Sequence, residues 1–337
     1  MPVNSLILPD KYHAKLDVIQ TERAIKLVKD TFEIELADAL ELTRVSAPLF
    51  VRANIGLNDD LNGVERAVCF DIKELGEDVV IVHSLAKWKR YALSRYGFPE
   101  GQGIYTDMNA IRRDEDLDNI HSAYVDQWDW EKIITREQRT RQMLENTVKL
   151  IIGALVRTQR KLTAVFPQLD AFLSEEVYFV TSQQLEDEYP DLSPKQRENA
   201  VCKKHKTVFI MQIGGKLASG KPHDSRAPDY DDWSLNGDIL VYNPVLDQAL
   251  EISSMGIRVD SRALEKQLET AGCTERKSFE FHRLLLEDKL SLTMGGGIGQ
   301  SRICMLLLQK AHIGEVQASV WTEEMVNACE QKGIRLL

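Results

Sequence analysis

The sequence predicts an α+β fold in which helices flank a mixed, mostly antiparallel β-sheet. Strand-like segments dominate the second half of the 337-residue chain, and regular crossover helices do not separate them. A doubly wound parallel sheet needs such helices, so the pattern favours a mixed or antiparallel sheet. The chain also has no repeat, low-complexity tract or Gly/Ser/Pro-rich linker. We therefore expect a single domain that spans residues 1–337.

The first half of the chain alternates between helical and extended patterns. Apolar residues recur at helical spacing over residues 21–40, and residues 42–51 then read as an extended segment that contains Pro48. Strand-like runs follow at residues 66–72 and 79–83. A second helix is predicted over residues 136–165.

A third helix has a clear start signal in the second half. Ser193 is a suitable N-cap, Pro194 fits the first turn, and Gln196 stands at capping-box spacing. The strands predicted in this half are residues 177–181, 208–213, 239–242 and 249–254.

Composition excludes several classes of protein. The chain has 42 Lys and Arg against 52 Asp and Glu, a formal net charge of -10, so no nucleic-acid partner is expected. The N-terminus lacks a signal-peptide pattern, and no apolar run approaches membrane-spanning length. The five cysteines are odd in number and lack paired metal-ligand spacing, so we interpret them as reduced thiols. These features predict a cytoplasmic protein without a membrane partner.

The most informative segment is the glycine-rich run GGGIGQSR at residues 295–302, which precedes a helix-like apolar segment. Glycine tolerates positive φ and has no Cβ, so such a run can lie against a nucleotide. Arg302 supplies a forked positive charge for phosphate. The run lacks the Gly-Lys-Ser/Thr ending of a P-loop and the first-strand context of a Rossmann fingerprint. A plain glycine-rich turn between a strand and a helix is the alternative interpretation.

Residues 124–131 alternate like a strand that sorts its side chains onto two faces. Gln127, Asp129 and Glu131 would share one face. Trp128 and Trp130 would lie on the other face and anchor it. The pattern favours a strand that displays a polar row, with a solvated strand face as the alternative.

Four other polar segments are candidates for chemistry. Residues 112–116 form a loop-like cluster of arginines and carboxylates, and residues 83–90 turn basic after an apolar strand, which suits an anionic ligand. Residues 223–238 are so rich in carboxylates that they need cations, either Mg²⁺ or a substrate ammonium group. Residues 251–258 place an acid, two hydroxyls and an arginine on a strand that Gly256 can bulge. The alternatives for the first three are an exposed turn, a solvated helix start and an acidic surface loop.

Taken in chain order, these motifs resemble a known family. The arginine-bearing loop and Gln-x-Asp strand look like the second signature motif of class II aminoacyl-tRNA synthetases, and Gly-x-Gly-x-Gly-x-x-Arg looks like the third. Nearly the whole chain resembles the ammonia-dependent asparagine synthetases, or aspartate–ammonia ligases, whose fold is similar to the catalytic domain of aspartyl-tRNA synthetase. The segments that carry this resemblance are residues 82–90, 124–130, 226–233, 235–240, 253–258 and 295–302.

The resemblance implies an ATP-dependent amidation of L-aspartate with ammonia. The β-carboxylate would attack the α-phosphate to give β-aspartyl-AMP and pyrophosphate, and ammonia would then displace AMP to give L-asparagine. It also implies Mg²⁺ as a cofactor and a homodimer, with Pro48 and its flanking helix at the interface. Residue 2 is proline, whereas a glutamine-using synthetase needs an N-terminal cysteine there, so free ammonia is the expected donor.

The resemblance also assigns roles to residues of this chain. Catalytic roles fall to Arg112 at the α-phosphate and Arg302 at the triphosphate tail or adenine. A further catalytic role follows from the chemistry of ammonium, which must lose a proton, and our hypothesis is that Asp59 binds this ion and accepts its proton. The implied aspartate-binding residues are Asp59, Ser84, Lys89, Gln127, Asp129, Asp231 and Arg258. The implied ATP-binding residues are Arg112, Glu251, Ser254, Arg258, Gly297, Gly299 and Arg302. Glu251 and Asp238 are the implied metal ligands, and ammonium is the alternative partner of Asp238.

Three questions stay open at the level of sequence. The family often has proline where Arg113 stands, so Arg113 is an alternative or additional phosphate ligand beside Arg112. A true aminoacyl-tRNA synthetase is one rival function, although such an enzyme should carry an anticodon-binding domain. An amino-acid-sensing module is the other rival, and loss of the arginines or carboxylates, none of which is lost here, would favour it.

Overall fold

The computed structural model describes residues 6–53, 55–59 and 65–337. The strands within them are β1 (Leu42–Arg44), β2 (Phe50–Arg52), β3 (Cys69–Asp71), β4 (Asp78–Ile81), β5 (Gly103–Ile111), β6 (Tyr124–Ile133), β7 (Tyr178–Thr181), β8 (Thr207–Met211), β9 (Asp231–Asn243), β10 (Gln248–Arg258) and β11 (Thr293–Gly299). The helices are α1 (Val18–Leu40), α2 (Ala86–Tyr96), α3 (Arg141–Val165), α4 (Ser182–Glu188), α5 (Pro194–His205), α6 (Ser261–Ala271), α7 (Glu280–Leu286), α8 (Gln300–Leu307) and α9 (Glu323–Gln331).

Eight strands form one mixed sheet in the order β1-β5-β6-β11-β10-β9-β8-β7. The five pairings from β5 through β8 are antiparallel, and the two outer pairings, β1 with β5 and β7 with β8, are parallel. This arrangement confirms the predicted α+β fold with a mostly antiparallel mixed sheet. The short strands β2, β4 and β3 form a separate small sheet beside it.

One face of the large sheet is covered by helices and holds the main hydrophobic core. Helix α1 packs on α3, and both contribute apolar side chains to a core with Trp128 and Trp130 of β6. Helix α8 joins this core between α1, β6 and β10. Because one face is closed in this way, polar side chains of the central strands are directed to the other face. Within the described residues, none of the helices combines the length and the apolar character of a transmembrane span.

The helix signals in the sequence are mostly confirmed. Helix α5 begins at Pro194 with Ser193 as its N-cap and Gln196 closing the capping box. Helix α1 begins three residues before the predicted start, because Asp17 and Gln20 form another capping box. Helix α3 begins at Arg141 instead of residue 136, because Thr140 caps it and residues 134–140 form a loop.

The strands are longer or shorter than the apolar runs that predicted them. Strand β9 starts at Asp231, inside the acidic stretch, because hydrogen bonds to β10 continue past its apolar residues. Strand β10 is interrupted by register shifts at Glu251/Ser253 and Gly256/Arg258, which agrees with the bulge expected near Gly256. Conversely, only three residues of the run at 66–72 pair as β3.

Candidate active site

The polar face of β6, β11 and β10 forms the floor of a cleft with a volume of about 460 Å³. Residues from distant parts of the chain meet there. The residues implied by the sequence that line the cleft are Asp59, Ser84, Lys89, Arg112, Gln127, Asp129, Asp231, Glu251, Ser254, Arg258, Gly297, Gly299 and Arg302. Asp238 is the implied residue that lies behind the lining.

Strand β6 sorts its side chains as its alternation predicted. Trp128 and Trp130 are fully buried in the main core. Gln127 and Asp129 face the cleft, and Glu131 lies on the same face, fully buried beneath Arg258. The tryptophans anchor the strand, so the polar row is held in a fixed register.

The glycine run is itself the central strand β11, which differs from the turn considered as an alternative. None of its glycines has a positive φ, so its backbone does not need the conformational freedom of glycine. Space is the reason for these glycines: a Cβ on Gly295 would lie 2.6 Å from Arg258 Nη2, and one on Gly297 would lie 3.0 Å from Asp129 Oδ1. The absent side chains let neighbouring polar groups cross above the strand.

Arg258 is the centre of a buried ion-pair network at the cleft floor. Its Nη2 donates to Glu131 Oε2 at 2.7 Å, and its Nη1 donates to Asp231 Oδ1 at 2.5 Å. Thr293 Oγ1 donates to the other oxygen of Glu131 at 2.7 Å. Burial disfavours the charged guanidinium, but Glu131 and Asp231 outweigh this effect and raise the pKa of Arg258. Burial also disfavours the charged form of Asp231 and so raises the pKa of this carboxyl group, while Arg258 opposes the shift.

Lys89 of α2 reaches the same floor from above. Its Nζ donates to Asp129 Oδ1 at 2.8 Å and to the carbonyl oxygen of Gly296 at 3.1 Å. Burial lowers the pKa of this lysine, and Asp129 opposes the shift. The second oxygen of Asp129 is buried without a hydrogen-bond partner in the described structure. The Lys89–Asp129 pair therefore retains an acceptor for a ligand.

Asp59 is a buried carboxylate of the cleft lining. Its carboxylate accepts a hydrogen bond from Ser84 Oγ at 3.0 Å, and the side chain of Asn58 holds the backbone N–H groups of both Asp59 and His83. Asp59 is 2% exposed. Residues 60–64, which follow Asp59 in the sequence, lie outside the described residues.

The loop between β5 and β6 carries Arg112 into the cleft. The adjacent Arg113 is exposed and does not line it. Arg112 has a loose ion pair with Glu115 at 3.7 Å, and its Nε is buried without a hydrogen-bond partner among the described residues. This placement favours Arg112 over Arg113 as the anion ligand that the sequence left open.

Arg302 extends into the cleft from the first turn of α8. Its Nη1 donates to the carbonyl oxygen of Glu251 at 3.0 Å, and its Nε donates to the carbonyl oxygen of Ile120 at 3.4 Å. Its closest carboxylate oxygen within the described chain, on Glu251, is 4.0 Å away. Backbone carbonyls thus hold the guanidinium in place while leaving its charge largely uncompensated.

Asp238 lies on β9 beside the cleft and is paired with Arg226, which does line it. Arg226 also donates to Asp224 at 2.9 Å. Burial, opposed by Arg226 and reinforced by Glu251, raises the pKa of Asp238 to about 7. One oxygen of Asp238 is buried without a hydrogen-bond partner in the described structure. A buried carboxylate whose proton affinity is raised by a second carboxylate marks a place where a cation is favourable.

The sequence missed several side chains that shape the cleft. Arg226 and Tyr230 line it within the acidic stretch, where the excess of carboxylates obscured their roles. Burial raises the pKa of Tyr230, and the carboxylates of Asp59 and Asp231 raise it further. His121 also lines the cleft, with Nδ1 at 2.9 Å from Asp118 Oδ2. Arg226 and Tyr230 could have been found by their position within a segment already identified as polar.

The cleft contains two chemically different sets of side chains. Arg112 and Arg302 supply positive charge that suits a polyanion, while Asp59, Asp129 and Asp231 supply carboxylates that suit an ammonium-bearing molecule. Such a site can hold a nucleoside triphosphate beside a small amino acid. It can thereby bring a carboxylate and a phosphate together despite their repulsion.

Comparisons of sequence agree with this chemistry. A sequence model of the family described as aspartate-ammonia ligase matches residues 19–333. A relative from Ruminiclostridium cellulolyticum named aspartate--ammonia ligase is 60% identical over 336 residues, which cover 99% of this chain and 100% of that protein. A relative of the same name from Lactobacillus johnsonii is 55% identical, with 99% of this chain and 100% of that protein covered.

Comparisons of structure support the fold. Asparaginyl-tRNA synthetase from Entamoeba histolytica has a TM-score of 0.61 and 14% sequence identity, covering 89% of this chain and 67% of that protein. Asparaginyl-tRNA synthetase from Pyrococcus horikoshii, complexed with asparaginyl-adenylate, has the same TM-score and identity, covering 90% of this chain and 70% of that protein. At this low identity, the likeness concerns the fold alone, and it is that of class II aminoacyl-tRNA synthetases.

Proposed function

The chain belongs to the aspartate–ammonia ligase family, and from this premise we propose how its cleft carries out the reaction. The activity is the ATP-dependent amidation of L-aspartate with ammonia to give L-asparagine. The proposal concerns the route, the roles of individual residues and the metal. A single observation carries it: thirteen residues with an implied role, spread from Asp59 to Arg302 along the chain, line one cleft.

We propose that the reaction proceeds through β-aspartyl-AMP. A carboxylate resists attack by ammonia because its oxygen is a poor leaving group. In the first step, an oxygen of the β-carboxylate bonds to the α-phosphorus and pyrophosphate leaves. In the second step, the nitrogen of ammonia bonds to the carbon of the β-carboxyl group, AMP leaves with that oxygen, and the nitrogen loses a proton. The enzyme contributes mainly positioning and charge stabilisation.

The nucleotide end of the cleft is assigned to groups on β10, β11, α8 and the loop before β6. Arg112 would hold the α-phosphate, and Arg302 would hold the triphosphate tail or adenine, since both guanidinium groups retain uncompensated charge. Ser254, Gly297 and Gly299 line the same region, where the glycines allow close approach of a ligand to the backbone.

The aspartate end is assigned to the carboxylate-rich part of the cleft. Its residues are Asp59, Ser84, Lys89, Gln127, Asp129, Asp231 and Arg258. Lys89 suits the carboxylate of the substrate, and the aspartates suit its ammonium group. Arg258 is so fully engaged by Glu131 and Asp231 that it serves mainly to organise this pocket.

Asp59 is the proposed binder of ammonium and the acceptor of its proton. Ammonium must lose a proton before its nitrogen can attack, and a carboxylate beside the β-carbonyl can both bind the cation and accept that proton. Asp59 is buried in the cleft lining, and Ser84 orients one of its oxygens.

Mg²⁺ is the proposed metal, with Asp238 and Glu251 as its protein ligands. The described residues include no cluster of three or more metal-binding side chains. Mg²⁺ usually takes only one or two protein carboxylates and completes its shell with water and phosphates, so this pair fits it. When bound with ATP, the metal would neutralise charge on the phosphates. Arg226, which pairs with Asp238, would have to share or yield that carboxylate.

A homodimer and a cytoplasmic location complete the proposal. Both rest on the family resemblance and on the composition of the chain. Sedimentation velocity on the purified protein is the direct measurement of its oligomeric state.

The decisive experiment follows oxygen from aspartate to AMP. The protein is incubated with ATP, Mg²⁺, ammonium and L-aspartate labelled with ¹⁸O in its β-carboxylate, and the products are analysed by mass spectrometry. We expect asparagine, pyrophosphate and AMP that carries one ¹⁸O. Formation of ADP, or of AMP without label, would reject the adenylate route.

A further inference from the structure

A second cluster of buried charges lies directly behind the aspartate end of the cleft. Its centre is Asp229, which is fully buried and does not line the cleft. One oxygen of this carboxylate lies 3.2 Å from Lys87 Nζ, 3.1 Å from Arg276 Nη1 and 3.0 Å from His282 Nε2. Burial raises the pKa of Asp229, but Lys87, His282 and Arg276 together outweigh this and lower it, so the group is a stable anion.

The partners of Asp229 belong to three separate parts of the fold. Lys87 is in the first turn of α2, two residues before Lys89, which reaches the cleft floor. His282 is in α7, and Arg276 is in the 3₁₀ turn at Thr274–Ser278 that precedes it. Asp229 itself immediately precedes Tyr230 and Asp231, which line the cleft.

The segment that contains Arg276 and His282 also supports the loop of Asp59. A Cβ on Gly56 would lie 2.9 Å from Phe279 Cβ, so this loop is packed tightly against the residue between the turn and α7. Leu57 packs in the hydrophobic cluster that includes Phe281 and Leu285 of α7. Displacement of α7 would therefore move the loop that presents Asp59.

The nucleotide end has different supports. Arg112 comes from the loop between β5 and β6, Glu251 from β10 and Arg302 from α8. Lys87, Arg276 and His282 belong to none of these elements. Loss of the Asp229 contacts should thus disturb one end of the cleft and spare the other.

We infer that Asp229 is a positioning residue for the aspartate pocket. Its carboxylate joins the strand start that carries Tyr230 and Asp231, the helix that carries Lys89, and the segment behind Asp59. The side chains on these three segments thereby keep fixed distances from one another. Fixed distances matter because small displacements at a reacting centre lower the rate by large factors. This inference rests on the proposed assignment of the aspartate end.

Asp229→Asn is the first test, because it keeps the shape of the side chain and removes its charge. We expect the KM for aspartate to rise roughly tenfold or more at saturating ATP. The Kd of a non-hydrolysable ATP analogue, measured by calorimetry without aspartate, should stay within about twofold of the wild-type value. Helix α2 has a second anchor, since Arg90 donates to the carbonyl oxygens of Ser291 and Val259, so we expect the variant to fold.

Glu186→Gln is the matched control. Glu186 is also a largely buried carboxylate paired with an arginine, Arg197 at 3.3 Å, but it lies in α4, which supplies no lining residue of the cleft within the described chain. This variant should leave both constants unchanged. His282→Gln removes one of the three contacts and should give a smaller rise in the KM for aspartate, and it replaces Asp229→Asn if that variant does not fold.

An unchanged KM for aspartate in the folded variant would overturn the inference. An equal weakening of aspartate and ATP-analogue binding would overturn it too, because that result means general structural damage. Failure of the proposed route is distinguishable, since it would appear in wild-type protein as ADP or unlabelled AMP. Asp229→Asn would then still be judged by its KM for aspartate.

Discussion

At the scale of single residues, the arginines of the cleft differ in how much of their charge is already neutralised. Arg258 donates to two carboxylates at 2.5–3.0 Å. Arg112 and Arg302 have no carboxylate oxygen closer than 3.7 Å and 4.0 Å, respectively, among the described residues. A guanidinium without a partner attracts phosphate more strongly than one already paired. This difference supports the proposed role of Arg112 and Arg302 as phosphate ligands.

Arg112→Ala and Arg302→Ala should each lower kcat by about 10²-fold or more, because each removes positive charge where phosphate charge develops. Steady-state kinetics of pyrophosphate release would measure the effect. Arg113→Ala is the control, since Arg113 is exposed outside the cleft, and it should remain within about twofold of wild type. Equal losses at Arg112 and Arg113 would contradict the assignment.

Asp59→Asn should abolish most amide synthesis even at saturating ammonium, because the amide cannot accept the proton that the nitrogen must lose. Asparagine formation is the measurement, with pyrophosphate release in a single turnover as its companion. At saturating aspartate, which offsets any loss of substrate binding, adenylation should be affected much less than amidation. Full asparagine synthesis by this variant would remove Asp59 from the proposed role.

At the scale of elements, the glycines of β11 leave space for polar side chains of the neighbouring strands. It pairs with β6 on one side and β10 on the other, so it lies at the centre of the sheet beneath the cleft. Arg258, Glu131, Gln127 and Asp129 all approach its glycines closely enough to fill the space of a Cβ. A strand of ordinary residues would push these groups apart. The glycine pattern is therefore a requirement of the polar network above it.

Gly297→Ala should impair substrate binding and destabilise the fold by about 1–3 kcal/mol, because the new Cβ would collide with Gln127 and Asp129. The KM for aspartate and a urea unfolding curve would measure the two effects. Gly215→Ala is the matched control, since a Cβ at that position would meet no described atom within 4 Å and its φ is not positive. A tolerated Gly297→Ala would show that the site adjusts more freely than this packing suggests.

At the scale of the whole molecule, we expect His312 to make the free energy of unfolding depend on pH in the acidic range. It is fully buried, and its Nδ1 accepts a hydrogen bond from the backbone N–H of Gly314 at 3.0 Å, which requires a neutral nitrogen. Burial lowers the pKa of His312 to about 4, with Asp118 opposing the shift. The unfolded chain binds this proton at about pH 6.5, so the folded state loses relative stability as the pH falls from there to about 4.

His312→Asn should remove that acid sensitivity, because asparagine can still accept from Gly314 and does not titrate. Urea unfolding at fixed protein concentration, at about pH 7.5 and about pH 4.5, would measure the difference. The histidine should account for at most about 3 kcal/mol of the loss in wild type between these conditions. Parallel losses in the variant and wild type would assign the acid sensitivity to other groups.

Much of the fold was predictable because its signals are local. The capping box at Ser193, the helical spacing in α1 and the alternation in β6 depend on residues a few positions apart, and each predicted its element. Boundaries were less predictable. Helix α3 begins after its predicted start because Thr140 caps it. Strand β9 begins before its predicted start because its pairing with β10 extends to Asp231.

The sequence alone indicated the family, the amidation of aspartate and thirteen of the residues that line the cleft, because motif order and residue type carry that information without coordinates. Only the tertiary structure showed which groups these residues contact. It separated Arg112 from Arg113, placed Asp238 behind Arg226, and gave the glycines of β11 a steric reason instead of a conformational one. It also brought Lys87, Arg276 and His282 around Asp229. Charge neutralisation and close approach depend on distances between residues far apart in the chain, and those distances exist only once the sheet has formed.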